Sequence, residues 1–340
     1  MMKQVTCKNP GEMVFDETAE KPSPGASEVL VAIKRVGLCG TDIHAYAGNQ
    51  PYFQYPRVLG HELAGVVESV GSEVTTIKPG APVYVIPYIE CGNCTACRQG
   101  RTNCCKNMSV LGVHKDGGMC EYLPVPESHV ISAEGLDLDQ LALVECMAIG
   151  AHAVRRADVQ PGSTALVVGA GPIGMGIVQF AKARGARVIV VDSNPDRLKF
   201  CQENLGAAAV ISADEDVASE LDTLTNGDFP NVVFDATGNP KAMMAGFNWT
   251  AHAGTYVLVS IVKADITFSD PEFHKRELSL LSSRNATRED FEHVVRNLQE
   301  GVVLSTEMVT HRCGLDELPE AMPKWIQPTS GMIKAIVEIN

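Results

Sequence analysis

The chain has 340 residues, 45% apolar and 20% charged, with a formal net charge of −13. That length accommodates two domains with sizeable cores, and the acidic balance argues against nucleic acid or an anionic membrane as partner. No run of about eighteen apolar residues suggests a membrane span, and "MMKQVTCKNPGEM" lacks the apolar stretch of a secretory leader, so a cytoplasmic protein acting on a small molecule is expected. The eleven cysteines are odd in number. In a reducing compartment they stay thiols, so tight spacing among them points to metal rather than to disulfides.

In chain order, "EVLVAIKRVG" (28–37), "GHELAGVVESVG" (60–71) and "APVYVIPYIE" (81–90) are short extended runs broken by Gly and Pro. They predict a mostly β domain. Beside them, "LCGTDIH" and "LGHELAG" supply Cys39, His61 and Glu62: a thiolate, an imidazole and a carboxylate in segments that could be neighbouring strand ends. Singly, each fits a buried structural Cys or an ordinary His-Glu pair. "VECMAIGAH" adds Glu145 just before the second domain begins, and three protein ligands with one open position make a catalytic zinc site.

Cys91, Cys94, Cys97 and Cys105 follow C-x2-C-x2-C-x7-C. Two-residue gaps turn successive thiolates onto one tetrahedral cation, and a closed shell of four leaves no place for substrate, so this site is structural. An iron–sulfur cluster is the rival; the long fourth gap and the absence of Pro after Cys105 favour zinc. Cys104 is then a spare or an alternative fourth ligand.

From about residue 160 the pattern changes. "STALVVGAG", "ARVIVVD", "AAAVIS", "NVVFDATG", "GTYVLVS" and "ELSLLSS" read as buried strands. Between them, "PIGMGIVQFAKARG", "NPDRLKFCQENLG" and "PKAMMAGFNWT" read as helices. The alternation predicts an α/β fold with a doubly wound parallel sheet. "REDFEHVVRNLQEG" is an amphipathic helix, and "GMIKAIVEIN" a strand that returns to the first domain. The expected division is 1–148 with 287–340, and 149–286 inserted between them.

Gly169-Ala170-Gly171-Pro172-Ile173-Gly174 fits G-x-G-x-x-G between a strand and a helix. The first Gly permits the turn, the second lets backbone approach a pyrophosphate, and the third lets helix pack on strand. Asp192 ends the next strand, where a carboxylate accepts from an adenosine ribose and repels a ribose phosphate. NAD is favoured over NADP; Arg197, five residues on, keeps NADP open.

Together these stretches, with "GVHKDGGMCEY" and "DATG", resemble the zinc-dependent medium-chain alcohol and polyol dehydrogenases through nearly the whole chain. Within that family, "GNQPYFQYPRVLGHE", "CRQGRTNCC" and "SDPEFHKRELSLLSSRNAT" look most like the bacterial L-galactonate 5-dehydrogenase branch of sugar-acid enzymes. The resemblance implies a Rossmann domain inserted in a GroES-like catalytic domain. It also implies two Zn2+ per chain, a homodimer or homotetramer, and NAD-dependent oxidation of a secondary alcohol to a ketone, at C5 of L-galactonate to give D-tagaturonate. Alternatives are a sorbitol-like or threonine-like substrate, or a non-catalytic binding or regulatory protein on the same scaffold.

Carried over by position, Cys39, His61 and Glu145 would hold the catalytic zinc, and Glu62 would be a direct ligand or one that exchanges with water or substrate. Where the polyol branch commonly has Pro after the ligand Glu, this chain has Cys146, a competing thiolate. Thr41 and His44 would pass the alcohol proton to solvent; an imidazole exchanges protons near neutral pH. Thr237, Ser260 and Lys334 would lie near the cofactor. "SSRNAT" supplies Arg284 at the end of the last sheet strand, where an Arg can clamp a carboxylate, and His114 with Lys115 are further polar contacts. Relatives pair through the edge of the nucleotide sheet, for which "GTYVLVS" or "ELSLLSS" could serve.

Overall fold

In the second half of the chain, apolar runs of four to six residues alternate with helices. In the computed structural model, which describes residues 1–49 and 53–340, six of these runs pair into one sheet. They are β1 (Thr164–Val168), β2 (Arg187–Asp192), β3 (Ala209–Ser212), β4 (Val232–Asp235), β5 (Thr255–Leu258) and β6 (Ser279–Ser282). Every neighbouring pair is parallel and the order is β3-β2-β1-β4-β5-β6. That is the doubly wound Rossmann order, whose direction reverses between β1 and β4. Residues Ala165 to Val168 are all buried, as the central strand of a sheet covered on both faces must be.

Turn chemistry sets the helices between strands. Gly171 is the N-cap of helix Pro172–Ala183, with Pro172 at its first turn. After β2 and after β4 the chain uses the same device: Asn194 and Asn239 each accept two backbone N–H groups at the start of a helix that opens with Pro. Side-chain capping satisfies donors that the helix cannot. The helix read from "PKAMMAGFNWT" is shorter than its pattern, covering Pro240–Ala245 only. It stops at Gly246, where a Cβ would lie 2.4 Å from Tyr256 Oη. The chain must pass that ring without a side chain.

The sheet order also corrects one expectation. "GTYVLVS" is no edge: β5 pairs with β4 on one side and β6 on the other. The edges are β3 and β6, and Leu280 of β6 is exposed.

By its contacts the chain divides into a unit of residues 1–146, 287–299 and 305–340 and a unit of residues 147–286 and 300–304. The division falls inside helix Leu138–Arg156. Residues 300–304 join the second unit through Gln179, whose side chain accepts from Leu304 N at 2.6 Å and donates to Leu304 O at 3.0 Å.

The first unit is mostly β. Its largest sheet contains Glu28–Leu38 at the centre, flanked by Glu62–Val70 and by Lys334–Glu338, both antiparallel to it. Thus three segments far apart in sequence run side by side. The stretch "APVYVIPYIE" does not stay one strand. Pro82–Val85 belongs to the large sheet, and Tyr88–Ile89 pairs instead with Ser109–Val110. Pro87 stands at the break, where a residue without an N–H cannot continue the ladder.

The glycines after β1 yield a stability prediction. A Cβ on Gly174 would lie 1.8 Å from Gly169 O, whereas one on Gly171 would meet no protein atom within 4 Å. Overpacking of this kind costs about 1–3 kcal/mol. Gly174→Ala is therefore expected to lower the thermal midpoint by roughly 2 to 12 °C, and Gly171→Ala to leave it unchanged. Parallel calorimetric scans of the two variants check this.

Candidate metal centres and nucleotide cleft

Cys39 directly follows the central strand of the first unit and caps helix Gly40–Tyr46. Three residues on, the buried carboxylate of Asp42 accepts from Cys39 N at 2.9 Å and from Gly60 N at 3.1 Å. One side chain therefore fixes the backbone beside Cys39 and beside His61, and its Oδ1 lies 3.8 Å from His61 Nδ1. Glu62 opens the neighbouring strand and sits opposite Gly37. A Cβ at Gly37 would come within 2.1 Å of Glu62 Oε2, so only glycine leaves room for the carboxylate.

The ligand atoms of Cys39, His61 and Glu62 all lie within 4.8 Å of one another. Zinc bonds of about 2.0–2.3 Å in a tetrahedron place donors roughly 3.3–3.8 Å apart, so the spread suits one ion. His61 Nδ1 and Glu62 Oε2 are buried with no hydrogen-bond partner among the described residues. Orphaned buried polar atoms are costly, and here they sit among ligands.

Glu145 is buried beside this set but outside it, and Tyr88 Oη donates a hydrogen bond to its Oε1. Burial pushes the Glu145 carboxyl up to about 7, against the attraction of His61 and with the repulsion of Glu62. Cys146 is buried too; desolvation raises its pKa, Lys334 opposes the shift, and Glu62 and Glu145 add to it. For His61, burial acts downward, but the negative charges of Cys39 and Asp42 outweigh it and the pKa rises. A pocket of mutually repelling acids is what a divalent cation relieves.

Lys334, which the resemblance puts near the cofactor, is buried in this cluster. Its Nζ donates to Glu62 Oε1 at 2.5 Å and to Leu38 O at 3.1 Å. Its strand pairs directly with the strand that leads into Cys39, Ala335 standing opposite Leu38. Of the remaining residues read from this region, Thr41 is half-buried, and His44, His114 and Lys115 are exposed. The ring of His114 is used within its own turn, where Nδ1 accepts from Val110 N at 3.1 Å.

The sulfurs of Cys91, Cys94, Cys97 and Cys105 also lie within 4.8 Å of one another. Tetrahedral zinc–thiolate geometry separates sulfurs by about 3.8 Å, and Cys94 and Cys97 are 3.4 Å apart. Four sulfurs drawn this close enclose a single ion; a multi-iron cluster needs a wider cage. Cys105 Sγ accepts from Cys91 N and Asn107 N, both at 3.3 Å, and N–H groups of Cys97 and Lys106 hold the Cys94 thiol down to about 6. Cys104 is not in the group, and its sulfur lies 3.9 Å from Arg101.

In the second unit, Gly169 has φ +99°, a conformation that favours glycine. Asp192 Oδ2 accepts from Ala170 N at 2.6 Å and Oδ1 from Asn194 N at 2.7 Å, tying the glycine turn to the end of β2. A cleft of about 630 Å³ lies at the carboxyl ends of the strands, lined by Gly169, Gly171, Asp192, Arg197, Thr237 and Trp249 among others. The open space that a Cβ of Gly171 would enter belongs to this cleft. Its shape fits an extended anion approaching bare backbone. Pro172 and Ile173 are half-buried and Gly174 is buried at the helix start. Thr237 Oγ1 donates to Asp235 Oδ1 at 2.9 Å, and burial pushes that carboxyl up to about 6 against the Thr237 hydrogen bonds. Ser260 N donates to Asp235 O at 3.2 Å. Arg284 is exposed just past β6.

Residues 25–135 match the alcohol dehydrogenase GroES-like domain, and residues 172–300 match the zinc-binding dehydrogenase domain. L-Galactonate-5-dehydrogenase of Escherichia coli K12 is 46% identical over 99% of this chain and 98% of its own. The chain belongs to the zinc-type alcohol dehydrogenase family. Sorbitol dehydrogenase of Bacillus subtilis is 31% identical over 100% of this chain and 98% of its own. A crystal structure of RspB from Escherichia coli CFT073, complexed with NADH, superposes with a TM-score of 0.93 at 31% identity, covering 99% of both chains. For this zinc-type dehydrogenase the fold is therefore a Rossmann sheet inserted in a GroES-like domain, as the sequence implies. Among the described residues no helix is long and apolar enough to cross a membrane.

Asp42, Gly37 and Tyr88 do not figure in the sequence reading. Asp42 carries a visible signal, the i, i+3 spacing of a helix cap after Cys39; Gly37 and Tyr88 act only through chain pairing.

The cysteine geometry sets a direct test. Cys105→Ser is expected to remove one equivalent of zinc per chain, and Cys104→Ser none, as measured by metal analysis of the purified variants.

Proposed function

We propose that this zinc-type dehydrogenase oxidises the C5 secondary alcohol of L-galactonate to the ketone D-tagaturonate with NAD. The observation that carries the chemistry is the clustering of half-buried Cys39 with buried His61 and Glu62, whose Nδ1 and Oε2 atoms are orphaned. The substrate rests on the 46% identity to L-galactonate-5-dehydrogenase. Zinc, when bound, supplies Lewis acidity that makes an alcohol proton acidic near neutral pH, and NAD, when bound, supplies the hydride acceptor.

The residues divide that work. Cys39, His61 and Glu145 hold the metal, and Glu62 either joins them or exchanges with water or substrate. Lys334 restrains Glu62 by occupying Oε1. Cys146, next to Glu145, stays out: its burial favours the neutral thiol. The Thr41 hydroxyl donates and accepts at once and hands the alcohol proton to His44, whose exposure lets it release the proton to water.

In the second unit the bare backbone of Gly169 and Gly171, with Pro172 and Ile173 at the helix start, receives the pyrophosphate, and Gly174 lets that helix pack close to the turn. Asp192 takes the adenosine ribose, with Thr237 and Ser260 along the same strand ends. Arg197 lines the same cleft, but Asp192 repels a ribose phosphate and NAD is preferred. Arg284 clamps the substrate carboxylate, with His114 as a further polar contact.

A screen following NADH absorbance with zinc-loaded protein tests the assignment. L-Galactonate is expected to show the highest kcat/KM among L-galactonate, sorbitol and L-threonine; preference for either of the others would refute the sugar-acid reading. A charge-assisted bidentate contact is worth about 1.5–3 kcal/mol. Arg284→Ala should therefore raise KM for L-galactonate about 10- to 150-fold while hardly changing that for sorbitol. Equal effects on both would count against the clamp.

A further inference from the structure

The four clustered cysteines occupy a loop whose base is the two-residue strand Tyr88–Ile89 paired with Ser109–Val110. Tyr88 stands opposite Val110, and Ile89 opposite Ser109. So short a hairpin does not hold its own register. A metal drawing Cys91 and Cys105 together closes the loop two residues beyond Ile89 and fixes where both strands lie. Tyr88 is thereby held from the cysteine side. Its ring packs edge-on against Phe291, with centroids 6.2 Å apart and planes at 68°, and its carbonyl meets His129 Nε2 at 3.2 Å. The hydroxyl leaves this frame and donates to Glu145 Oε1.

We infer that Tyr88 is a positioning residue for Glu145, and that through it the cysteine lobe sets the geometry of the catalytic metal site. The inference rests on the reading of Glu145 as a metal ligand. A carboxylate on a helix can rotate about its side-chain torsions. With Oε1 engaged by Tyr88, the torsions are restrained and the second oxygen, outside this hydrogen bond, would be the one available to a metal. Outer hydrogen-bond partners of metal ligands typically change metal affinity about 10- to 100-fold when removed. The coupling runs from lobe to catalytic site: emptying the lobe frees the Tyr88 strand and with it Glu145.

The test uses the full zinc-loaded chain and a chromophoric chelator that resolves the release of two metals. Tyr88→Phe keeps the ring and its packing. It should speed release of one zinc about 10- to 100-fold and leave the other at the wild-type rate. Cobalt substituted at the catalytic site should show altered visible absorption in the same variant, a signature that loss of packing alone would not produce. Cys97→Ser, which empties the lobe, should speed release of the remaining zinc by a similar factor, and adding Tyr88→Phe to it should speed it no further. Wild-type release and an unchanged cobalt spectrum in Tyr88→Phe would overturn the inference, as would equal acceleration of both metals. A wild-type chain that holds zinc only in the lobe would refute the ligand reading itself, and this inference with it.

Discussion

Burying charge costs far more than burying carbon unless each charge finds a counterpart. The first unit buries Asp42, Glu62, Glu145 and Lys334, with His61 and Cys146 among them. Lys334 pairs with Glu62, while burial, with the repulsion of Glu62 added and the attraction of His61 opposing, raises the pKa of Asp42 and of Glu145, the cost of holding acid out of water. A divalent cation resolves it, and the surrounding architecture is the scaffold that makes such a concentration of acid possible. Glu28–Leu38, Glu62–Val70 and Lys334–Glu338 lie side by side in one sheet, so that Cys39, Glu62 and Lys334 meet at strand ends although their numbers are far apart.

The second unit meets a different constraint with backbone. A dinucleotide phosphate needs N–H donors and no side chain in the way. Glycine at 171 leaves the cleft open, while Gly169 makes the turn and Gly174 lets the helix close on its own turn. Asp192 does two tasks there: its two oxygens brace the glycine turn and the start of the next loop, and its charge faces the cleft.

Much of this was legible in the amino-acid sequence, and the physical reason is locality. The cysteine spacing, the glycine fingerprint and the alternation of strands and helices are all patterns within a few tens of residues, and they appear in the structure where the sequence puts them. What depended on long-range pairing was not legible. Lys334 meets Glu62 across 272 residues of sequence, a pairing that no local pattern reveals. "GTYVLVS" reads as a possible edge, because strand order is not written in strand composition, but it pairs on both sides. Tyr88 was passed over as part of one strand because the break at Pro87 gives it a different partner. Cys104 and Cys105 differ by one position, and only the fold of the lobe separates ligand from bystander. Substrate contacts are the least legible: Arg284 and His114 are exposed, and an exposed polar side chain looks the same in sequence whether or not a ligand meets it.

The central claim is that the first unit holds two cations of different kinds, one enclosed by four sulfurs and one gripped by Cys39 and His61. Anomalous scattering at the zinc edge from a crystal of the metal-loaded protein examines it most directly. Two peaks per chain are predicted, one equidistant from the sulfurs of Cys91, Cys94, Cys97 and Cys105, the other bonded to Cys39 Sγ and His61. A single peak confined to the cysteine lobe, with Cys39 and His61 bare at full zinc loading, would contradict the account.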